Sequence, residues 1–293
     1  MYEPGTHRRI AILICDVPAD TIREQHGDYT RIFGTLLEES LKPINEAHSA
    51  DSQTTFTLEP FDVRAQVYPK EDEYDAMLIT GSASTAHEYE QPGREWMKKL
   101  IEYVRVVATE KPRIKIFGIC FGHQIVALAM GGTCVRNTRF EVSATKLQLT
   151  ELGKRVYGVE SGALVRNLYL PLVSYSFFLE NLHLMNRDHV PTEPPSFHVL
   201  ASSSQSPNHG MVLFSQSESR KDAPHSNFRL TDIHILTSQG HPKFTESIMH
   251  HLLRLRRELL GPELFHDGES RAGDQNDGVA VIGKAIWGVM GVE

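Results

Sequence analysis

A chain of 293 residues, 40% hydrophobic and 23% charged, has room for one large globular domain or two small ones and excludes a fibrous or disordered class. A chain of this length buries roughly three quarters of its unfolded surface, so it needs neither disulfides nor a structural metal. The net charge of −7, with RLRREL at 254–259 as the densest basic cluster, argues against nucleic acid or an anionic membrane as partner.

The N-terminal basic residues precede a run of only six apolar residues, too short for a signal sequence. No apolar stretch approaches the roughly eighteen residues of a membrane span. Three cysteines, Cys15, Cys120 and Cys134, do not make a disulfide framework. A reduced, cytoplasmic protein is expected.

RIAILICDVP (9–18) is a β-branched apolar run and predicts a strand buried on both faces. The segment 22–46 predicts a helix, TTFTLEPFDV a second strand, and YDAMLITGSAS (74–84) a third that ends at Gly81-Ser82. REWMKKLIEYVRVVATE places Met97, Leu100, Val104 and Val107 at helical spacing. RIKIFGI (113–119) is a fourth strand, followed by a helix over GHQIVALAM that Gly131-Gly132 closes. Strands alternating with helices point to a parallel sheet covered on both faces.

After Gly132, FEVSATKLQLT, ALVRNLYLPLVS, FHVLASS and HGMVLF are short and alternating, as in an antiparallel meander. SQSESRKDAPHSN (215–227) predicts a mobile surface loop. FRLTDIHILTSQGHP restores a strand, and FTESIMHHLLRLRREL a helix with Phe244, Ile248, Leu252, Leu255 and Leu259 on one face. The polar stretch 262–277 is expected to be loose, and GVAVIGKAIWGVM to form a last short helix. A main domain over 8–258 and a C-terminal tail over 259–293 follow.

A lone cysteine is most often an inert core thiol. Cys120, however, stands between Gly118 and Gly122 after an apolar strand and before a helix, which is the cysteine form of a nucleophile elbow. The turn is so sharp that side chains two residues either side would collide, and the backbone of the nucleophile is strained. The helix N-terminus favours thiolate, and the next amide, of Phe121, points where an oxyanion would form.

A cysteine nucleophile needs a base. With fifteen histidines in the chain, position must select it. His241 ends a strand, precedes Pro242 and a helix, and so shares with Cys120 the crevice at the carboxyl ends of parallel strands. His123 lies in the first turn of the elbow helix, where packing or capping is expected; His250 and His251 sit in mid-helix and are expected to be solvated.

On LITGSAS, FGICFGHQIVALAMGG, FEVSATKLQLT, MNRDHV and SQGHPKFTESI, in that order over roughly residues 8 to 255, the chain resembles the class I (triad-type) glutamine amidotransferases. The resemblance includes the stand-alone amidotransferase-like and γ-glutamyl peptidase-like members of fungi and plants. It implies a flavodoxin-like, mainly parallel α/β sheet with helices on both faces and a small antiparallel meander. It makes Cys120 the nucleophile that forms a thioester with a γ-glutamyl carbonyl, and His241 the base and then the acid. The amides of Gly81, Ser82 and Phe121 would serve the oxyanion, Gln124 would hold the glutamyl group, and Asp188 matches the acidic position of the family's His-x-Asp substrate loop. No cofactor or metal is implied.

Two positions depart from the pattern. The triad acid, two residues after the histidine, is replaced by Lys243, which cannot orient an imidazole or stabilise an imidazolium. The histidine of the substrate loop is replaced by Asn186. Glu246, one turn on, could substitute only with a rearranged loop.

Cysteine tolerates a weakened base because part of it is thiolate already. One expectation is therefore a slower enzyme acting on glutamine or a γ-glutamyl peptide. It would pass ammonia to a separate acceptor or synthetase protein, as an amide donor in secondary metabolism. The alternative is a degenerate scaffold that binds a γ-glutamyl compound or partner subunit without turnover. A different cysteine-elbow hydrolase of similar topology is the third reading.

Overall fold

The computed structural model describes residues 6–159, 178–215 and 228–293. Among these residues nine strands form one mixed sheet: β1 (His7–Ile14), β2 (Thr55–Asp62), β3 (Ala76–Ile79), β4 (Lys115–Ile119), β5 (Val135–Leu149), β6 (Phe178–His189), β7 (His198–Ser202), β8 (Gly210–Phe214) and β9 (Ile233–Ser238). Their order is β2-β1-β3-β4-β9-β8-β7-β5-β6. The first five are mutually parallel and in flavodoxin-like order, whereas β8, β7, β5 and β6 add as an antiparallel meander.

The central strands are apolar without alternation because both faces are covered. All four residues of β3 are buried, as are all six of β9. On one face lie α2 (Tyr29–Glu46) and the C-terminal α8 (Lys284–Val289), whose residues pack with Ile10, Ile12 and Leu78; on the other, α3 (Glu95–Glu110) and α4 (Phe121–Ala129) pack with Ala11, Leu13 and Ile116. Trp287 of α8 is fully buried and donates its indole N–H to Leu37 O at 3.1 Å.

Several expectations change. The helix over 22–46 is two helices, α1 (Asp20–His26) and α2, because Gly27 turns the chain and Asp28 caps α2 by accepting from the Arg31 amide at 3.0 Å. The stretch expected to be loose is largely α7 (Arg257–Arg271), bent at Gly261, with Pro262 beginning its second part, where the missing amide is no loss. Met185–His189 of MNRDHV, expected in a substrate loop, lies in β6 at the sheet edge.

The helix after His241, α6 (Glu246–Leu255), stops before Leu259, and Leu255 and Leu259 are exposed rather than on a buried stripe. His250 and His251 are half-buried: α7 packs across α6 and brings Glu269 Oε1 to His250 Nδ1 at 3.0 Å, while His251 Nδ1 bonds Ser247 O of its own helix at 2.7 Å. The last helix is present, entered through a π-helical turn at Val279–Gly283. ALVRNLYLPLVS, at 163–174, lies outside the described residues, as does most of the loop expected over 215–227. No helix among the described residues is long and apolar enough to cross a membrane.

Candidate active site

β4 ends at Ile119 and delivers Cys120 into the turn before α4 with φ 55° and ψ −102°. That conformation is costly for a residue with a Cβ and persists only where surrounding structure enforces it. The enforcement is visible on both sides. A Cβ on Gly118 would stand 2.7 Å from Gly122 O, and one on Gly122 would stand 2.4 Å from Ile79 O. Only glycines let strand, turn and helix approach this closely.

The parallel register pairs Ile119 with Ser238, so the next residues, Cys120 and Gln239, emerge side by side. The Cys120 amide donates to Ser238 O at 2.7 Å, and Gln239 Nε2 donates to Cys120 Sγ at 3.6 Å. Two residues on, the His241 amide donates to His183 O of β6 at 2.8 Å. The two predicted groups are brought together beside Gly81: a Cβ there would meet His241 Cε1 at 3.1 Å and Cys120 Cβ at 3.6 Å.

Both groups are buried, at 5% and 7% exposure, and burial disfavours the charged form of each, against the thiolate expected at the helix N-terminus. Burial pushes the Cys120 thiol up to about 12, against lowering contributions from Arg256, the Phe121 amide and the Gln239 side chain. Burial pushes His241 down to about 3, and the Arg256 and His183 charges add to the effect.

Among the described residues no carboxylate contacts the His241 ring. The imidazole instead lies flat on Phe244, with centroids 3.8 Å apart and planes 6° apart. Its backbone is bracketed by Asn276, whose Nδ2 donates to His241 O and Phe244 O, both at 2.9 Å. Lys243 forms an ion pair with Glu39 of α2. Glu246 lies 3.6 Å from His250 and offers no replacement acid.

The remaining predicted residues divide. The amides of Gly81 and Ser82 donate to no protein acceptor among the described residues, whereas Ser82 Oγ donates to Asp16 Oδ2 at 3.2 Å. Phe121 opens α4, its ring buried 5.7 Å from Trp96. Gln124 has both amide protons engaged, with Asp188 O at 2.9 Å and Gln239 Oε1 at 3.1 Å. The Asp188 carboxylate sits between His87 at 3.1 Å and Arg136 at 3.6 Å. Asn186 is buried and donates to Glu141 at 3.4 Å. His123 is fully buried on Thr237 Oγ1 at 2.8 Å. No group of three or more His, Cys, Asp or Glu among the described residues could hold a metal ion.

Residues 44–255 match the sequence profile of the family described as Glutamine amidotransferase class-I. The chain belongs to the class I glutamine amidotransferase family. A glutamine amidotransferase-like protein of Schizosaccharomyces pombe is 30% identical over 261 residues, covering 87% of this chain and 86% of its own. Gamma-glutamyl peptidase 4 of Arabidopsis thaliana is 25% identical over 132 residues, 44% of this chain and 45% of its own. The crystal structure of a glutamine amidotransferase from Thermotoga maritima superposes with a TM-score of 0.63 at 12% identity, covering 97% of this chain and 98% of its own; it shares the fold.

Sequence reasoning passed over Gln239, Phe244 and Asn276. The SQGHPKF string held the signal for the first two, since parallel pairing with the elbow strand sets Gln239 beside Cys120. Asn276 carried no local signal.

Proposed function

We propose that this class I amidotransferase-family chain transfers or hydrolyses the acyl group of a γ-glutamyl amide through a Cys120 thioester, with His241 as the proton carrier. The observation that carries the reading is the strained elbow at Cys120 meeting His241 at Gly81. The sulfur bonds to the γ-carbonyl carbon as its proton passes to His241. The C–N bond then breaks, and His241 returns the proton to the leaving nitrogen. Water or an amine, deprotonated by His241, attacks the thioester and frees the thiol. The amides of Gly81, Ser82 and Phe121 face the developing oxyanion, and Asp188 serves substrate binding from the acidic position of the family's substrate loop. Gln124 acts from behind the site, through Gln239 and the Asp188 backbone, rather than by holding the glutamyl group itself.

The test is amine release from glutamine and from γ-glutamyl peptides. Cys120→Ala and His241→Ala should abolish it, while His123→Ala retains much of it, His123 being bonded to Thr237 instead. In this reading the nitrogen passes to a separate acceptor or synthetase protein, with amide donation in secondary metabolism as its setting; co-purification from the source cell tests that assignment.

Two observations favour a second reading. Lys243 is committed to Glu39, and the His241 ring has no carboxylate partner among the described residues. A scaffold that binds a γ-glutamyl compound without turnover fits both. Calorimetric binding of glutamate to wild type, with no amine release from any γ-glutamyl substrate, would select it.

A further inference from the structure

The hydrogen-bond direction at Cys120 is fixed by a chain of side-chain amides that starts at a backbone carbonyl. The Asp188 backbone carbonyl can only accept, so the side-chain NH2 of Gln124 must face it, at 2.9 Å. The second proton of that NH2 then goes to Gln239 at 3.1 Å, which makes the contacting Gln239 atom its oxygen, Oε1. The Gln239 NH2 is thereby turned to the remaining neighbour, Cys120 Sγ, at 3.6 Å. Gln239 is fully buried and Gln124 4% exposed, so water does not compete for either amide. The Gln239 backbone N–H donates to His209 O at 3.0 Å, which fixes the residue from the β8 side as well.

We propose that Gln239 is a catalytic residue that donates a hydrogen bond to the Cys120 thiolate as it forms, and that Gln124 is its positioning residue. The proposal rests on Cys120 being the nucleophile. A donor to sulfur has little to offer the neutral thiol and much to offer the anion, so it lowers the cost of the charge that burial makes expensive. It also answers the missing triad acid. Where the imidazolium lacks a carboxylate, the thiolate half of the ion pair receives an extra fixed dipole. The relay begins at Asp188 O, so strand β6 and the nucleophile are joined by consecutive side-chain bonds.

The experiment follows Cys120 alkylation by iodoacetamide from about pH 6 to about pH 10, with Cys15 and Cys134 as internal references in the same mass spectra. Gln239→Met removes the donor at similar volume; the Cys120 rate should fall about tenfold below the titration, with the curve displaced to higher pH. At the alkaline end of this range, where its carboxyl is ionised, Gln124→Glu has no proton for Oε1 and instead attracts the Gln239 NH2, turning Oε1 towards sulfur. The rate should fall at least as far, although residue 124 does not touch the thiol. Gln124→Met, which merely frees the amide, should give a smaller fall.

Cys120 profiles that superimpose on wild type in folded Gln239→Met and Gln124→Glu would overturn the proposal. Unfolding would be recognised by rapid labelling of the buried Cys15 and Cys134, and Gln124→Met then decides: a wild-type profile there is equally fatal. None of these readouts needs turnover. A wild type that releases no amine therefore rejects the enzyme reading separately.

Discussion

Lys243, two residues after His241, is ion-paired with Glu39, 204 positions earlier in the chain. The lysine side chain is 18% exposed and the glutamate 49%, so the pair sits at the protein's edge and ties the histidine loop to α2. The position that would orient the imidazole is occupied by a group turned away from it.

Lys243→Glu alone would set two carboxylates against each other, so it should cost about 0.5–1 kcal/mol of stability without aligning His241. Combined with Glu39→Gln, the new carboxylate is free to meet the imidazole and stabilise its charged form. Amine release should then rise about ten- to a hundredfold over wild type. A thermal melt and an ammonia assay on wild type, the single variant and the double variant decide it. No gain in the double variant would show that the loop cannot present an acid to His241.

The histidine loop also depends on Asn276. This residue donates to His241 O and Phe244 O, and its Oδ1 accepts from the Gly278 amide at 3.1 Å. Asn276→Ala removes the side-chain donor from both carbonyls, leaving His241 O only the long bond from the Phe244 amide at 3.4 Å, and should cost about 1–3 kcal/mol. Because reacting groups displaced by a fraction of an ångström lose much of their rate, turnover should fall about tenfold or more. Denaturant midpoints together with kcat on the same preparation check both. A stability loss with undiminished kcat would show that the bracket does not position the ring.

Much of the site was legible in the sequence because it follows from strand ends. Gly118-x-Cys120-x-Gly122 after an apolar run and His241 after another fix which ends of which strands meet, and the parallel register does the rest. Asn276 was illegible because its stretch is polar and aperiodic, and its contacts come from the tertiary path of α7, not from any local pattern. Lys243–Glu39 was hidden for the same reason, since nothing in either neighbourhood names the partner. β6 was obscured because its MNRDHV end matches a substrate loop while its backbone pairs with β5.

Burial of histidines makes the stability of the fold depend on pH. An unfolded imidazole titrates near 6.5, whereas burial holds His241 and His123 down at about 3 and His234 down at about 4. Between those values the unfolded chain binds protons that the native chain refuses. Stability is therefore complete above about pH 6.5 and falls as the pH drops, by up to about 1.4 kcal/mol per pH unit for each group. His234→Gln lies away from the crevice and should flatten the slope of the denaturant midpoint between about pH 6 and about pH 4.5. An unchanged slope would mean that His234 titrates alike in both states.

The most direct measurement is acid-quench mass spectrometry of the protein mixed with a chromogenic γ-glutamyl anilide. The expected result is a glutamyl adduct on the peptide carrying Cys120, formed as fast as the anilide is released and absent from Cys120→Ala and His241→Ala. Anilide released at the wild-type rate by Cys120→Ala, or an adduct on Cys15 or Cys134, would contradict the Cys120–His241 site.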